Sequence, residues 1–325
     1  KVQTSFHLWL APLLNKHMRK LSSRDNSSAQ ITSDREKPDA WRNALILMRI
    51  PFSIYLMPVF WFALSNVNQE INLWKAVAIF IIIHVFLYPA SNGYNSYFDK
   101  DEESIGGLEK PPSVGQELYY LVLLFDATAI IGAYFISPLF ATMVFIYTLV
   151  SKAYSFDKIR LKRFPILSTA VVTVFQGAFT YGMILIGLSL TIDSTQMIYA
   201  AISTFLIAGS YPLTQIYQHK EDSDRGDKTL SLKLGIKGTF IFSSIMFLAG
   251  FSGILTAYFL AEKWMDTAVL IISTAPIGFY FVRWMVLSWK DDDHVNFRNT
   301  MNMNAISSIA LSVAFIVMLV VHLYN

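Results

Sequence analysis

Two acidic stretches hold the residues best suited to chemistry. The first, Asn92 to Glu103, spells N-G-Y-N-S-Y-F-D-K-D-E-E. Asn95, Asp99 and Glu103 recur at four-residue steps, so a continuing helix would set their oxygen-bearing side chains close to one face. The second, Gln218 to Asp227, spells Q-H-K-E-D-S-D-R-G-D. Gln218 and Asp222 repeat the four-residue step, with Glu221, Asp224 and Asp227 crowded around them. Amide and carboxylate oxygens in such sets suit Mg2+, which takes a few carboxylates, keeps waters and binds substrate phosphate oxygens. Each stretch follows a long apolar run, which puts a cation site at a membrane-water boundary. Singly, such acids are ordinary solvated groups at helix ends. Two clusters on the same side of a membrane are the stronger signal.

Cations accompany them. The loop from Tyr154 to Pro165 holds Lys158, Arg160, Lys162 and Arg163. These charges can be read as a topology signal or as a clamp for polyphosphate oxygens. Arg49 sits inside an apolar run between Met48 and Ile50, so it either faces a polar cavity or snorkels to the near interface. Tyr94, Tyr97, Phe98, Tyr147, Tyr154, Phe156, Phe175, Tyr181, Tyr211 and Tyr217 lie in or near these segments. Such rings form interfacial belts, or line a cavity where their faces stabilise a carbocation.

The elements that must position these groups are membrane helices. Of 325 residues, 54% are hydrophobic and only 15% charged, against about 25% in a typical soluble domain. Mean hydropathy is +0.43. Nine apolar runs reach or approach spanning length: Leu45–Leu64, Trp74–Asn92, Leu118–Ile136, Leu139–Tyr154, Ile166–Leu188, Met197–Tyr217, Phe240–Leu260, Thr267–Leu287 and Ala305–Leu323. The fourth is the shortest. Lys and Arg fall in alternate connections, which predicts the amino end and both acidic stretches on the cytoplasmic or equivalent side, with the carboxyl end opposite. A net charge of +3 gives no argument for nucleic acid. The chain has no cysteine, which excludes disulfides, thiolate metal sites and thiol nucleophiles. Residues 1–40 differ from the rest. Phe6 to Leu21 mixes apolar and basic residues and reads as an interfacial helix, part of a transit peptide or a mobile tail. Residues 41–325 read as one transmembrane domain.

The N-x-x-x-D-x-x-x-E pattern at Asn95–Glu103 resembles the first signature of the UbiA-type intramembrane prenyltransferases. The run from Asp222 through Arg225, Gly226 and Lys228 to Gly235 resembles the tail of the second signature. Arg160–Arg163 resembles the family's basic segment after the fourth helix, and Arg49-Ile50-Pro51 resembles its first-helix R-x-P. The resemblance covers about Ala40 to the end, and the nine-helix count agrees with it. It implies an all-α fold of nine transmembrane helices around a central cavity. It implies two Mg2+ ions held by Asn95, Asp99, Glu103, Gln218 and Asp222. Arg49, Lys162, Arg163, Arg225 and Lys228 would hold the diphosphate of an isoprenyl diphosphate, and Asp99, Asp222 and Lys162 would be catalytic. The allylic cation would pass to a hydrophobic aromatic or lipid acceptor; in the cyclase branch there is no acceptor. A transporter among membrane lipids is the third reading, disfavoured because the acids gather at one side rather than at mid-helix. The chain departs from the pattern twice. Gln218 stands where Asp usually opens the second signature, which removes a unit of charge: either Glu221 or Asp224 compensates, or the site holds its second metal more weakly. Glu103 stands where Asp usually closes the first.

Overall fold

In the computed structural model, residues 39–324 are described. The basic and polar segment before them lies outside the described residues. Nine helices follow one another: α1 Asp39–Ser65, α2 Leu73–Asp99, α3 Gln116–Ile136, α4 Pro138–Ser155, α5 Pro165–Gly187, α6 Ser194–Arg225, α7 Leu230–Leu260, α8 Trp264–Lys290 and α9 Phe297–Tyr324. Eight are long and apolar enough to cross a membrane. The other, α4, has 18 residues, about 27 Å of helix, close to the thickness of a hydrocarbon core. Consecutive helices pack on each other, and α9 packs on α1, so the nine form a ring. Large apolar side chains such as Phe135, Leu248 and Ile272 face outward, as lipid-facing surfaces require.

Inside the ring the helices are irregular. Pro51 cannot donate a backbone hydrogen bond. There α1 breaks: Arg49 adopts a left-handed conformation at φ 51°, and Ile50–Leu56 continues as a 3-10 helix. Pro212 starts a second 3-10 segment, Pro212–Gln218, within α6. With three residues per turn, Gln215 and Gln218 share a face there. Segments of π-helix occur in α2 at Ile82–Leu87, just before Pro89, and in α5 at Phe175–Phe179. The second is stabilised from outside its own helix: the Ala178 N–H donates to Thr204 Oγ1 of α6 at 3.1 Å. Gly235, at φ 67° and ψ 179°, kinks α7.

These breaks open a central cavity of about 330 Å³, lined by every helix of the ring except α3. Irregular backbone at membrane depth is tolerated where it faces such a space or is covered by protein.

The α5–α6 contact depends on Gly177. A Cβ there would lie 2.6 Å from Thr204 Cα and 2.7 Å from its backbone nitrogen. Gly177→Ala is therefore expected to push α5 from α6 and destabilise the fold by about 1–3 kcal/mol. Thermal unfolding in detergent would register this as a lowered midpoint; an unchanged midpoint would mean the two helices separate freely.

Candidate active site

One end of the cavity is charged and the rest is apolar and aromatic. Three segments distant in sequence build the charged end. The first is the end of α2 and the loop after it. Asn95 and Asp99 are one helical turn apart and both line the cavity. The helix does not continue to Glu103. Lys100 turns left-handed at φ 51° and its N–H closes on the Ser96 carbonyl at 3.0 Å. Past that point Glu103 is exposed and outside the cavity, contrary to the one-face expectation. Asp101, displaced by the same turn, lines it instead.

The second segment is the end of α6 and its continuation. The 3-10 turn delivers Gln218, and the last helical turns, His219–Arg225, deliver Asp222 and Arg225 to the same wall. Gln218 Nε2 donates to the Ser104 carbonyl at 3.2 Å, which ties the second acidic stretch to the loop after the first. Gly226, at φ 73°, ends the helix and folds Asp227 inward. Asp227 is buried. Of the two acids expected to compensate for Gln218, Glu221 pairs with Arg225 at 2.6 Å and Asp224 is exposed. Neither lines the cavity; Asp101 and Asp227 do.

The third segment is the basic loop between α4 and α5. Left-handed Arg160, at φ 40°, leads into a single 3-10 turn, Leu161–Arg163. Arg160 and Lys162 turn inward and are buried; Arg163 faces out and is exposed. Lys162 Nζ lies 2.6 Å from Asp99 Oδ1 and 3.0 Å from Asp227 Oδ2. Arg160 makes a two-pronged contact with Asp227, Nε to Oδ1 at 3.1 Å and Nη2 to Oδ2 at 2.9 Å, and its Nη2 lies 3.6 Å from Asp99. Burial alone would raise the Asp227 carboxyl. The Arg160 hydrogen bonds and the Lys162 charge outweigh it and hold the group below the usual carboxylate range.

Arg49 completes the rim. The break at Pro51 releases its side chain to donate to Asn92 O at 3.1 Å and Gly106 O at 3.2 Å, while its buried Nε has no partner among the described residues. Arg225 pairs with Asp101. Of the predicted site residues, then, Asn95, Asp99, Gln218, Asp222, Arg49, Lys162 and Arg225 meet around one cavity. Glu103, Arg163 and Lys228 are exposed and outside it. Asp101, Arg160 and Asp227 belong to this end, although the four-residue spacing did not single them out. Lys152 sits within α4 and pairs at 2.8 Å with buried Asp126 of α3, away from the cavity lining.

The donor set is oxygen only, as a hard divalent cation requires. Asp222 has no cation in ion-pair contact among the described residues and accepts one hydrogen bond, from Thr229 at 3.2 Å. Asn95 Oδ1 accepts from Ser155 at 2.7 Å. Among the described residues no three acidic or imidazole groups form a cation cage on their own, and Asp99, Asp101 and Asp227 each engage a Lys or Arg. This arrangement fits a cation that shares its coordination between Asp222, Asn95 or Asp99 and the oxygens of a bound anion. Below the charged end, Tyr55, Tyr147, Phe175, Phe247 and Phe315 wall the chamber, and Phe52 lines it beside Arg49. Of the aromatics named from sequence, Tyr147, Tyr154, Phe175 and Tyr211 reach it. Tyr94, Tyr97, Phe98 and Phe156 pack together elsewhere.

The UbiA prenyltransferase family model matches residues 55–306. No curated relative matches. Among solved structures, a UbiA homolog from Archaeoglobus fulgidus bound to DMAPP and Mg2+ is 17% identical with a TM-score of 0.63, covering 86% of this chain and 99% of its own. The apo UbiA homolog from Aeropyrum pernix K1 is 18% identical with a TM-score of 0.61, covering 82% and 98%. A digeranylgeranylglyceryl phosphate synthase is 16% identical with a TM-score of 0.55, covering 88% and 100%. At these identities the likeness is one of fold.

The Arg160–Asp227 pair yields a stability prediction. Arg160→Met strands a buried carboxylate with Lys162 as its remaining partner, and is expected to cost about 3 kcal/mol. Adding Asp227→Leu should recover most of that loss. Thermal unfolding of the single and double variants checks this; equal midpoints for wild type and Arg160→Met would show that the pair is not structural.

Proposed function

The chain belongs to the UbiA prenyltransferase family, and on that premise we propose that it transfers an isoprenyl group from a prenyl diphosphate to a hydrophobic aromatic or lipid acceptor, with Mg2+ as cofactor. The observation that carries this reading is the meeting of Asp99 and Asp222, 123 residues apart, at one cavity whose charged end also holds Arg49, Lys162 and Arg225. An all-anionic wall would suit a cation alone. A wall of mixed sign suits a metal-diphosphate pair. The related structures described with DMAPP or GPP and Mg2+ support the same substrate class.

In this reading Asp222, Asn95 and Asp99 would hold the metal, which when bound would supply Lewis-acid stabilisation of the departing diphosphate. Gln218 stands beside them as a neutral oxygen donor, with Asp101 supplying charge nearby. Lys162, Arg225 and Arg49 bind the diphosphate oxygens. Lys162 and Arg225 do so by exchanging a carboxylate for a phosphate oxygen; Arg49 does so with the N–H that lacks a partner. Ionisation breaks the C–O bond, the electron pair leaves with the diphosphate, and an allylic cation forms in the chamber below. The chamber is walled largely by apolar and aromatic side chains, which disfavour water there, so the cation meets the second substrate first. The faces of Tyr147 and Phe175 are suited to stabilise it on the way. The alternate distribution of Lys and Arg supports placing the charged end on the cytoplasmic or equivalent side.

The purified chain is expected to release diphosphate from geranyl diphosphate only with Mg2+ and an acceptor present. Release without acceptor, accompanied by a cyclic hydrocarbon, would reassign it to cyclisation. Asp99→Asn and Asp222→Asn should each lower kcat at least about 100-fold. Lys162→Ala should raise the donor KM about tenfold or more, the value of a charge-assisted hydrogen bond. Near-native rates in both Asp variants would end the metal-diphosphate assignment.

A further inference from the structure

Below the charged end, the wall formed by α6 and α9 carries amides that a hydrocarbon tail does not need. Asn304 lies in α9, two turns in from Phe297. It is 7% exposed, lines the cavity, and its side chain has no hydrogen-bond partner among the described residues. The Pro212–Gln218 segment of α6 packs against α9 and brings Gln215 to the same cavity. Gln215 Nε2 donates to the Tyr211 hydroxyl at 3.0 Å, but its buried Oε1 has no partner among the described residues. Tyr211 is in turn bonded to the Tyr154 hydroxyl at 2.6 Å, so that hydroxyl pair orients the Gln215 amide. Ser308, one turn beyond Asn304, donates to the Tyr55 carbonyl at 3.1 Å and keeps its oxygen as an acceptor.

The unpartnered Gln215 Oε1 is buried, and the Asn304 amide faces the cavity with donor and acceptor unused; polar groups left uncompleted in such a place are costly. A prenyl tail cannot, since it has no polar atoms, and Leu or Phe would serve such a tail better. The nearby cations are taken up by the donor in the proposed function: Lys162, Arg225 and Arg49 face the diphosphate at the charged end, which leaves none of them for a second anionic headgroup. We infer that Asn304 and Gln215 form the headgroup site of the second substrate, and that this substrate carries a neutral hydroxyl rather than a carboxylate or phosphate. A hydroxyl there donates to an amide oxygen and accepts from Asn304 Nδ2. This inference rests on the prenyl-transfer reading and narrows its acceptor.

The test uses the full chain with Mg2+, geranyl diphosphate and three probes: 1,4-dihydroxynaphthalene and 1-O-octylglycerol, both neutral, and 4-hydroxybenzoate, which carries a carboxylate. Prenylated products are read by mass spectrometry, and donor affinity is measured separately by calorimetry. A neutral probe is expected to be prenylated and the carboxylate not. Asn304→Ala removes no protein hydrogen bond seen among the described residues. It should raise the KM of that neutral probe at least about tenfold while donor Kd stays within about twofold, and Asn304→Gln should restore part of the loss. An unchanged probe KM in Asn304→Ala overturns the assignment. So does prenylation of the carboxylate alone, or of no probe although the donor binds. Failure of the wild-type chain to bind geranyl diphosphate sinks the prenyl-transfer reading itself, and the calorimetry separates that outcome from the others.

Discussion

Much of the charged end hangs on the Lys162 ammonium. It lies within 3.0 Å of two carboxylates, Asp99 and Asp227, that are 128 residues apart in sequence. Without a cation between them, those carboxylates would repel at close range in a low-dielectric setting. Arg160 sits beside them and satisfies the remaining oxygens of Asp227. The loop after α4 is therefore a cross-link: it brings the end of α2 and the start of α7 to one place and fixes where Asp222 faces the cavity. Buried ion pairs of this kind seldom add net stability over apolar packing, but breaking one side leaves an uncompensated charge. Their value here is positional.

The breaks in the helices serve the same end. A regular helix in lipid satisfies its own backbone and offers nothing to a ligand. At Pro51 the break frees Arg49 to reach the Asn92 and Gly106 carbonyls. At Pro212 the 3-10 turn changes the angular step from about 100° to about 120°, so Gln215 and Gln218 both reach the cavity before the α-helical step resumes for Asp222 and Arg225. At Phe175–Phe179 the displaced backbone group finds Thr204 on the next helix.

Much of this was legible in the sequence, and what was not has a physical reason. Nine apolar runs and alternating basic loops specify the nine helices, because length and charge asymmetry act locally. Asp99 and Asp222 stood out by their four-residue spacing from Asn95 and Gln218 after long apolar runs, Lys162 by its basic loop, and Arg49 by its place inside an apolar run. Glu103 was misplaced because the four-residue step assumes an unbroken helix, and a left-handed Lys100 leaves no mark in composition. Arg163 and Lys228 were grouped with the diphosphate residues by the family resemblance, and position in a motif does not say which way a tight turn faces each one. Asp126 went unread: its partner Lys152 lies 26 residues away on the next helix and shares no motif with it. Asn304 was invisible for a related reason, since a single amide in an apolar helix acquires meaning only when no neighbour completes it.

The ion pairs that assemble the charged end are also the groups a diphosphate would compete for. Lys162 cannot give its full charge to a phosphate oxygen while held equally by Asp99 and Asp227. In the proposed function, a metal held at Asp99 would neutralise that carboxylate and leave the Lys162 ammonium for a phosphate oxygen. Asp227 does not need Lys162 in that state, since Arg160 alone satisfies both of its oxygens. The rim is thus divided by task. The Arg160–Asp227 pair is a fixed strut, with an aspartate held ionised well below neutral pH, and Lys162–Asp99 is an exchangeable contact. A site built this way keeps its shape when empty and still has a cation to commit when the substrate arrives.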